Sequence, residues 1–318
     1  MKYLFFDIEC AGVFKNVAKI CAFGYCLTDE QFHILQKEDI LINPQGNFHL
    51  TDRKGTQGLV LPYKYEEFKN YPVFSRFAEK IYGLLQDTDT LVVGHAVMND
   101  VKYLNLESIR FRLPALSYAF ADTQFLYMNL VGDFTRQCGL GTIASELGVE
   151  FTPHRAVDDA YATMRVAEAM CKRENCTFSA LLTKYSVTLG KTENLEVTQP
   201  TSTAYEAYRA ERERAKEERE QKRASFHIFV DRSKRKRVKN GKMNTKTVCF
   251  SHALELNTEL AQKLTLSAFA VGAKMTFRAE ECDIFVCYET ESGGRLQSVK
   301  NRGARIVTPD EFAQMTEV

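Results

Sequence analysis

Asp7 and Glu9 stand two residues apart in the apolar run KYLFFDIE. On an extended strand both carboxylates leave one face, while Phe6 and Ile8 leave the other. Two carboxylates held side by side repel, and burying them without compensation is costly; a divalent cation with oxygen ligands is the usual compensation. A D-x-E pair also arises where a strand ends in solvent, so the pair by itself decides nothing. In GHAVMND, the apolar pattern LVVG runs through Gly94 and His95 into a helix with Asp100 near its start. An aspartate there also serves the helix dipole. His95 reads either as a buried hydrogen-bonding imidazole or as a group beside a substrate. In TPHRAVDDAYATMRVAEAM, Pro153 and His154 precede a helix whose small residues Ala156, Ala160, Thr163 and Ala167 suit close packing. His154 precedes Asp159 by five residues. This spacing lets the helix hold the carboxylate at a metal while the imidazole reaches a water beside it. Asp158 points about 100° away around the helix and reads as a helix-start charge.

These acids need elements that bring them together. KYLFFDIE, KICAFGYCLT and FHILQKEDILI, the last ending at Asn43-Pro44, read as three strands of an antiparallel meander. FSRFAEKIYGLLQ follows with helical spacing, then TLVVGH as a buried strand, VKYLNLESIRFRL as a helix, and YAFADTQFLYMNL crossing from strand into helix. A meander followed by alternating helices and strands gives an α/β domain, a mixed sheet covered by helices. Its expected extent is residues 1–185. Residues 186–224 read as a charged helical linker, because YEAYRAERERAKEEREQKRA alternates opposite charges with pairs such as Glu218 and Lys222 four apart. Residues 225–318 read as a second, small β/α domain: HIFV, a basic run RSKRKRVKNGK, then alternating strands and helices.

Bulk properties narrow the function classes. With 318 residues and 45% hydrophobic content the chain can fill two cores. A net charge of +1 means that affinity for a polyanion must come from local charge. Asp7 and Glu9 interrupt the first apolar run, so it is not a signal peptide, and no stretch is long and uncharged enough to span a bilayer; a cytoplasmic protein with no membrane partner is expected. Nine scattered cysteines without a C-x-x-C pair suggest reduced thiols and no zinc site.

FFDIE, GHAVMND and HRAVDDA, in that order over residues 1 to about 170, resemble the DEDDh (DnaQ-like) exonuclease superfamily, which includes the proofreading epsilon subunit of bacterial DNA polymerase III, RNase T and oligoribonuclease. Asp122-Thr123 after a strand and LGTIASELGVE before the third motif fit the same pattern. The resemblance implies an RNase H-like fold and a 3′→5′ exonuclease. It implies two Mg²⁺ or Mn²⁺ ions held by Asp7, Glu9, Asp100 and Asp159, with Asp7 bridging and His154 as general base. It further implies single-stranded 3′ ends as substrate, DNA favoured, with nucleoside 5′-monophosphates released in replication proofreading or repair. An RNA-trimming exoribonuclease and a non-catalytic end-binding scaffold are the alternatives. Where many relatives carry D-x-E-T-T-G, this chain carries Asp7-Ile8-Glu9-Cys10-Ala11-Gly12, which leaves substrate preference open. Phe14, Phe48 and Tyr63 are aromatics that either stack on bases or pack in the core.

TVCFSHALE, AVGAKM, CDIFVC, GGRLQSVKNRGARIV and TPDEF, over residues 243–316, are similar to BRCT domains, with His252 and Phe312 where a glycine and a tryptophan are usual. The likeness implies that Ser251 and Arg295 hold a phosphate, or else that Ser251 caps a turn and Arg295 is solvated; DNA polymerase or repair proteins are the partners it implies. Ahead of it, Arg232, Arg235, Lys236 and Arg237 belong to a run of seven basic residues suited to nucleic-acid phosphates, or to a solvated hairpin.

Overall fold

The computed structural model describes residues 1–46, 65–150 and 155–317. The chain forms two compact units, Met1–Tyr208 and Arg209–Val318.

The first unit opens with β1 (Lys2–Phe14), β2 (Val17–Thr28) and β3 (Ile34–Leu41), paired antiparallel as a meander. A short helix α1 (Tyr65–Phe68) precedes α2 (Phe74–Leu85), β4 (Thr90–Gly94), α3 (Met98–Arg110), β5 (Tyr118–Asp122) and α4 (Thr123–Val131). Then come α5 (Leu140–Glu146), α6 (Ala156–Glu174) and α7 (Phe178–Lys184). Strands β1, β4 and β5 run parallel to one another. Residues beyond 185 continue the sheet: after β6 (Val187–Thr188), the hairpin β7 (Gly190–Glu193) and β8 (Glu196–Thr198) adds antiparallel to β5, and β9 (Thr201–Ser202) pairs with β6. The seven-stranded mixed sheet has the order β3-β2-β1-β4-β5-β7-β8.

This corrects the expected start of the linker at residue 186. The turn is Asn194-Leu195, with both residues at positive φ (51° and 68°), as a two-residue type I′ hairpin requires, but with Leu in place of the usual Gly. Gly190 allows the added strand close to β5, since a Cβ there would lie 2.4 Å from the Phe120 ring.

The period-2 alternation of β1 divides two cores. Leu4, Phe6 and Ile8 join Val101 and Leu104 of α3 on one face; Tyr3 and Phe5 join Met164 and Ala167 of α6 on the other. The central strand is therefore buried on both sides, which explains its nearly unbroken apolar run.

The unit boundary falls within α8 (Thr203–Ser233). HIFV, at the start of the expected second domain, lies in this helix. Phe226, Val230 and Ser233 are its buried residues, spaced one helical face apart. A four-residue apolar run does not by itself distinguish strand from helix. The second unit continues with β10 (Thr247–Phe250), α9 (His252–Leu256), α10 (Thr258–Ala270), β11 (Lys274–Met275), β12 (Ile284–Val286), α11 (Gly294–Asn301), β13 (Arg305–Val307) and α12 (Pro309–Met315). Its four strands are all parallel, in the order β11-β10-β12-β13. Thr308 and Glu311 close α12 with a reciprocal capping box.

Candidate active site

The register of the meander sets the floor of the site. Asp7 on β1 lies opposite Gly24 on β2, which lies opposite Asp39 on β3, so the two aspartates share a face with a glycine between them. That gap is where α6 lands: a Cβ on Gly24 would sit 2.0 Å from the Ala156 carbonyl carbon and 2.0 Å from the Val157 nitrogen. With its first residues pressed onto β2, the helix carries Asp159 in its first turn over the strand. One carboxylate oxygen each from Asp7, Glu9 and Asp159 lie within 4.8 Å of one another, close enough to share a metal ion. Just past Glu9 the β1–β2 ladder slips between Glu9 and Cys10, a bulge of the kind that re-aims side chains beside active sites.

Asp100 comes from the other core's helix. Its approach depends on the corner between β4 and α3, where Ala96 takes φ 50° and Gly94 leaves room for Val97, whose Cγ2 would be 2.3 Å from a Cβ. Asp122 at the end of β5 fixes this corner. Its carboxylate accepts from Ala96 N (3.0 Å) and Val97 N (3.1 Å) and also caps α4 through Gln124 N (2.8 Å) and Phe125 N (3.3 Å). Asp100 is outside the close group of three, yet after burial itself it is the strongest influence raising the Asp7 carboxyl.

The electrostatics follow from this crowding. Burial, then the charges of Asp159 and Asp39, push the Glu9 carboxyl up to about 8. Asp7 and Asp100 are driven well above the ordinary range, with burial the largest cause and neighbouring carboxylates next. Among the described residues no cationic side chain pairs with Asp7 or Glu9. Hard oxygen donors, buried and mutually repelling, fit divalent cations such as Mg²⁺ or Mn²⁺.

Two contributors were not anticipated. Asp39 adds charge to the site and pairs with Arg155 (Nη2 to Oδ2, 3.3 Å), the residue that precedes α6. Gly24 makes the helix approach possible. Its only sequence trace is a small residue among the bulky apolar ones of AFGYC, and Asp39 looks like one charge of the exposed-reading KED.

The other expected residues fall as follows. Asp158 faces Lys37 (3.8 Å). His95 is half-buried, with Nδ1 2.9 Å from Thr123 Oγ1, and burial lowers it to about 4, so it is a neutral imidazole bracing the corner. Phe14 is exposed at the end of β1. Phe48, Tyr63 and His154 lie outside the described residues.

In the second unit Arg232, Arg235 and Lys236 are exposed. Arg237 is not available for nucleic acid as expected: its Nε donates to Gly272 O (2.8 Å) and its Nη2 to Asn244 O (3.0 Å), tying two loops. Ser251 is also corrected as a phosphate ligand. It is buried, accepts from Leu254 N (3.1 Å) as the cap of α9, and donates to Glu291 Oε1 (2.6 Å), a carboxylate that would repel a phosphate. Arg295 is half-buried, and its Nη2 donates to Phe277 O (2.8 Å) and to Cys249 Sγ (3.1 Å).

Among solved structures, the chain is similar to a 3′-exonuclease that recognises the 3′ end of histone mRNA stem-loop, at 14% identity over 64% of this chain and 71% of that one, TM-score 0.48. It is similar to exonuclease I at 19% identity over 57% of this chain and 43% of that one, TM-score 0.46. It is also similar to the nuclease domain of 3′hExo, a DEDDh family member bound to rAMP, at 17% identity over 55% of this chain and 92% of that one, TM-score 0.45. The match thus spans less than half the length of exonuclease I. No curated protein matches the sequence. The profile of the Exonuclease family (RNase_T) matches residues 4–167, just over half of the 318 residues and including every acid of the cluster, and the chain belongs to that family.

Proposed function

We propose that this protein is a metal-dependent 3′→5′ exonuclease that removes nucleoside 5′-monophosphates from single-stranded ends, DNA favoured, in replication proofreading or repair. The observation that carries the reading is the buried group Asp7, Glu9 and Asp159, with donor oxygens within 4.8 Å and no cationic partner on Asp7 or Glu9 among the described residues.

In this reading Asp7, Glu9, Asp100 and Asp159 would hold the divalent cations. Bound cations supply charge neutralisation at the scissile phosphate and a more acidic attacking water. Asp122 keeps the β4–α3 corner shaped so that Asp100 faces Asp7, and Gly24 keeps Asp159 seated over β1. Asp39 orients Arg155, and with it the start of α6 next to His154 in sequence. His154 takes a proton from the attacking water, a task suited to an imidazole near neutral pH. The second unit, which we assign as BRCT-like, and the exposed Arg232, Arg235 and Lys236 serve nucleic acid or a polymerase or repair partner.

The test is hydrolysis of end-labelled single-stranded DNA and RNA with Mg²⁺, Mn²⁺ or EDTA. Stepwise shortening from the 3′ end with the cations, none with EDTA, and faster loss of DNA are expected. RNA outcompeting DNA would move the substrate to RNA, and EDTA-resistant cleavage would end the metal reading.

A further inference from the structure

Beside the β4–α3 corner, the first unit contains a cavity of about 240 Å³ between the start of α3, the start of α4 and residues 199–205. Four carboxamides face it: Asn99, Gln124, Gln137 and Gln199. Gln124 is held by Cys138 O (2.8 Å), whereas Asn99, Gln137 and Gln199 make no side-chain hydrogen bond within the described residues. Phe125, Met128, Pro200 and Tyr205 supply apolar and aromatic walls, and the Phe125 and Tyr205 rings meet edge to face at 5.3 Å.

The lining selects the chemistry of what it can hold. No Lys, Arg or His contributes, so nothing neutralises a phosphate. The single acid, Asp122, already accepts four backbone N–H groups, so it is a poor cation ligand. What remains is a small chamber with flat apolar walls and uncommitted amide donors and acceptors, which complements a neutral, planar heterocycle carrying its own donors and acceptors. Its rim includes Ala96 and Asn99, the latter adjacent in sequence to Asp100.

We infer that this cavity is a nucleobase subsite, receiving one base of the strand whose phosphodiester lies at the acidic cluster. The inference rests on the exonuclease reading and adds a contact formed in part by Gln199, Pro200 and Tyr205, which lie beyond the matched residues 4–167.

The experiment uses the full chain and single-stranded DNA oligonucleotides in which each terminal position in turn is abasic. The substrates are compared on the wild-type protein and on the double variant Gln137→Ala with Gln199→Ala, whose side chains are exposed and bear no internal bonds. One abasic position should lower wild-type kcat/KM about tenfold, the scale of one lost base contact. The double variant should lose a similar factor on intact DNA and lose nothing further on that same abasic substrate, since both changes remove one interaction. Equal kcat/KM for variant and wild type, or two losses that multiply, would overturn the subsite. Wild-type shortening of the intact oligonucleotide with Mg²⁺, which loss of the subsite alone would slow only about tenfold, separates the two readings: its absence removes the exonuclease reading and the inference together, and its presence with a silent double variant removes the subsite alone.

Discussion

Buried carboxylates occur in two settings in this protein. Glu107 on α3 is fully buried, and its Oε1 accepts from Arg110 Nη1 (2.8 Å) and from Ile20 N (3.2 Å) beside the bulge. Glu255 on α9 is likewise buried and meets Arg223 Nε at 2.7 Å. At the floor of the first unit, by contrast, Asp7 and Glu9 face Asp159 and Asp100, and their electrostatic neighbours are further acids. A buried acid that brings its own guanidinium has its charge balanced within the fold, although burial still raises the Glu107 carboxyl. A group of acids that face one another is complete only with an external cation, and it lowers the stability of the fold when that cation is missing.

Substitutions should separate these settings. The largest effect is expected for Asp7→Asn: turnover on single-stranded DNA should fall on the order of 10³-fold, as when a group acting at the transition state is removed. The metal-free protein should melt no lower than wild type, because a repelling charge has gone. Retained turnover with a lowered melting temperature would reverse the comparison.

Gly24→Ala tests the packing that assembles the cluster. The new methyl would meet the Ala156 and Val157 backbone at 2.0 Å, so α6 must move. Displacing Asp159 should lower turnover on the order of 10²-fold, and overpacking should cost about 1–3 kcal/mol in urea denaturation. Wild-type values for both would show that the helix yields without disturbing the site.

Glu107→Ala should behave in the opposite sense to Asp7→Asn. It leaves Arg110 and Ile20 N without their acceptor, and a loss of roughly 3 kcal/mol is expected in urea denaturation. A stability equal to wild type would place Glu107 among the acids that strain the fold.

The smallest effect is a pH dependence. The Glu9 carboxyl stands at about 8 against its ordinary 4.5, so the folded, metal-free state binds the proton more tightly than the unfolded chain. Its contribution is fully present below about 4.5 and is lost as pH rises toward 8. The rise in melting temperature on adding Mg²⁺ should therefore be larger at the upper end of that window than at the lower. An increment independent of pH would remove Glu9 from the ion's ligands.

Much of this was legible in the sequence, because the strongest signals are local. The alternation of β1, the helical spacing of α2, α3 and α6, and the strand-to-helix crossing at Asp122 each lie within one short window. Asp7, Glu9 and Asp159 were singled out by residue type within such windows, and the fold brings them together. What escaped depends on register or distance. Asp39 and Arg155 are 116 residues apart, and nothing local marks them as partners. Gly24 acquires meaning only once it is known to lie between Asp7 and Asp39. The hairpin at Asn194-Leu195 was hidden because its turn lacks the glycine that announces most such turns, and the charged residues around it resemble a linker. Ser251 looked free for a phosphate because its partner, Glu291, is 40 residues away.

The central claim is that the acidic cluster holds divalent cations. Titration of the metal-free protein with Mn²⁺, followed by electron paramagnetic resonance, tests it most directly, with Asp159→Asn as the comparison. The account predicts that the wild-type protein binds two ions tightly and that the variant loses tight binding. Identical titrations for the two proteins, or no tight site in either, would contradict it.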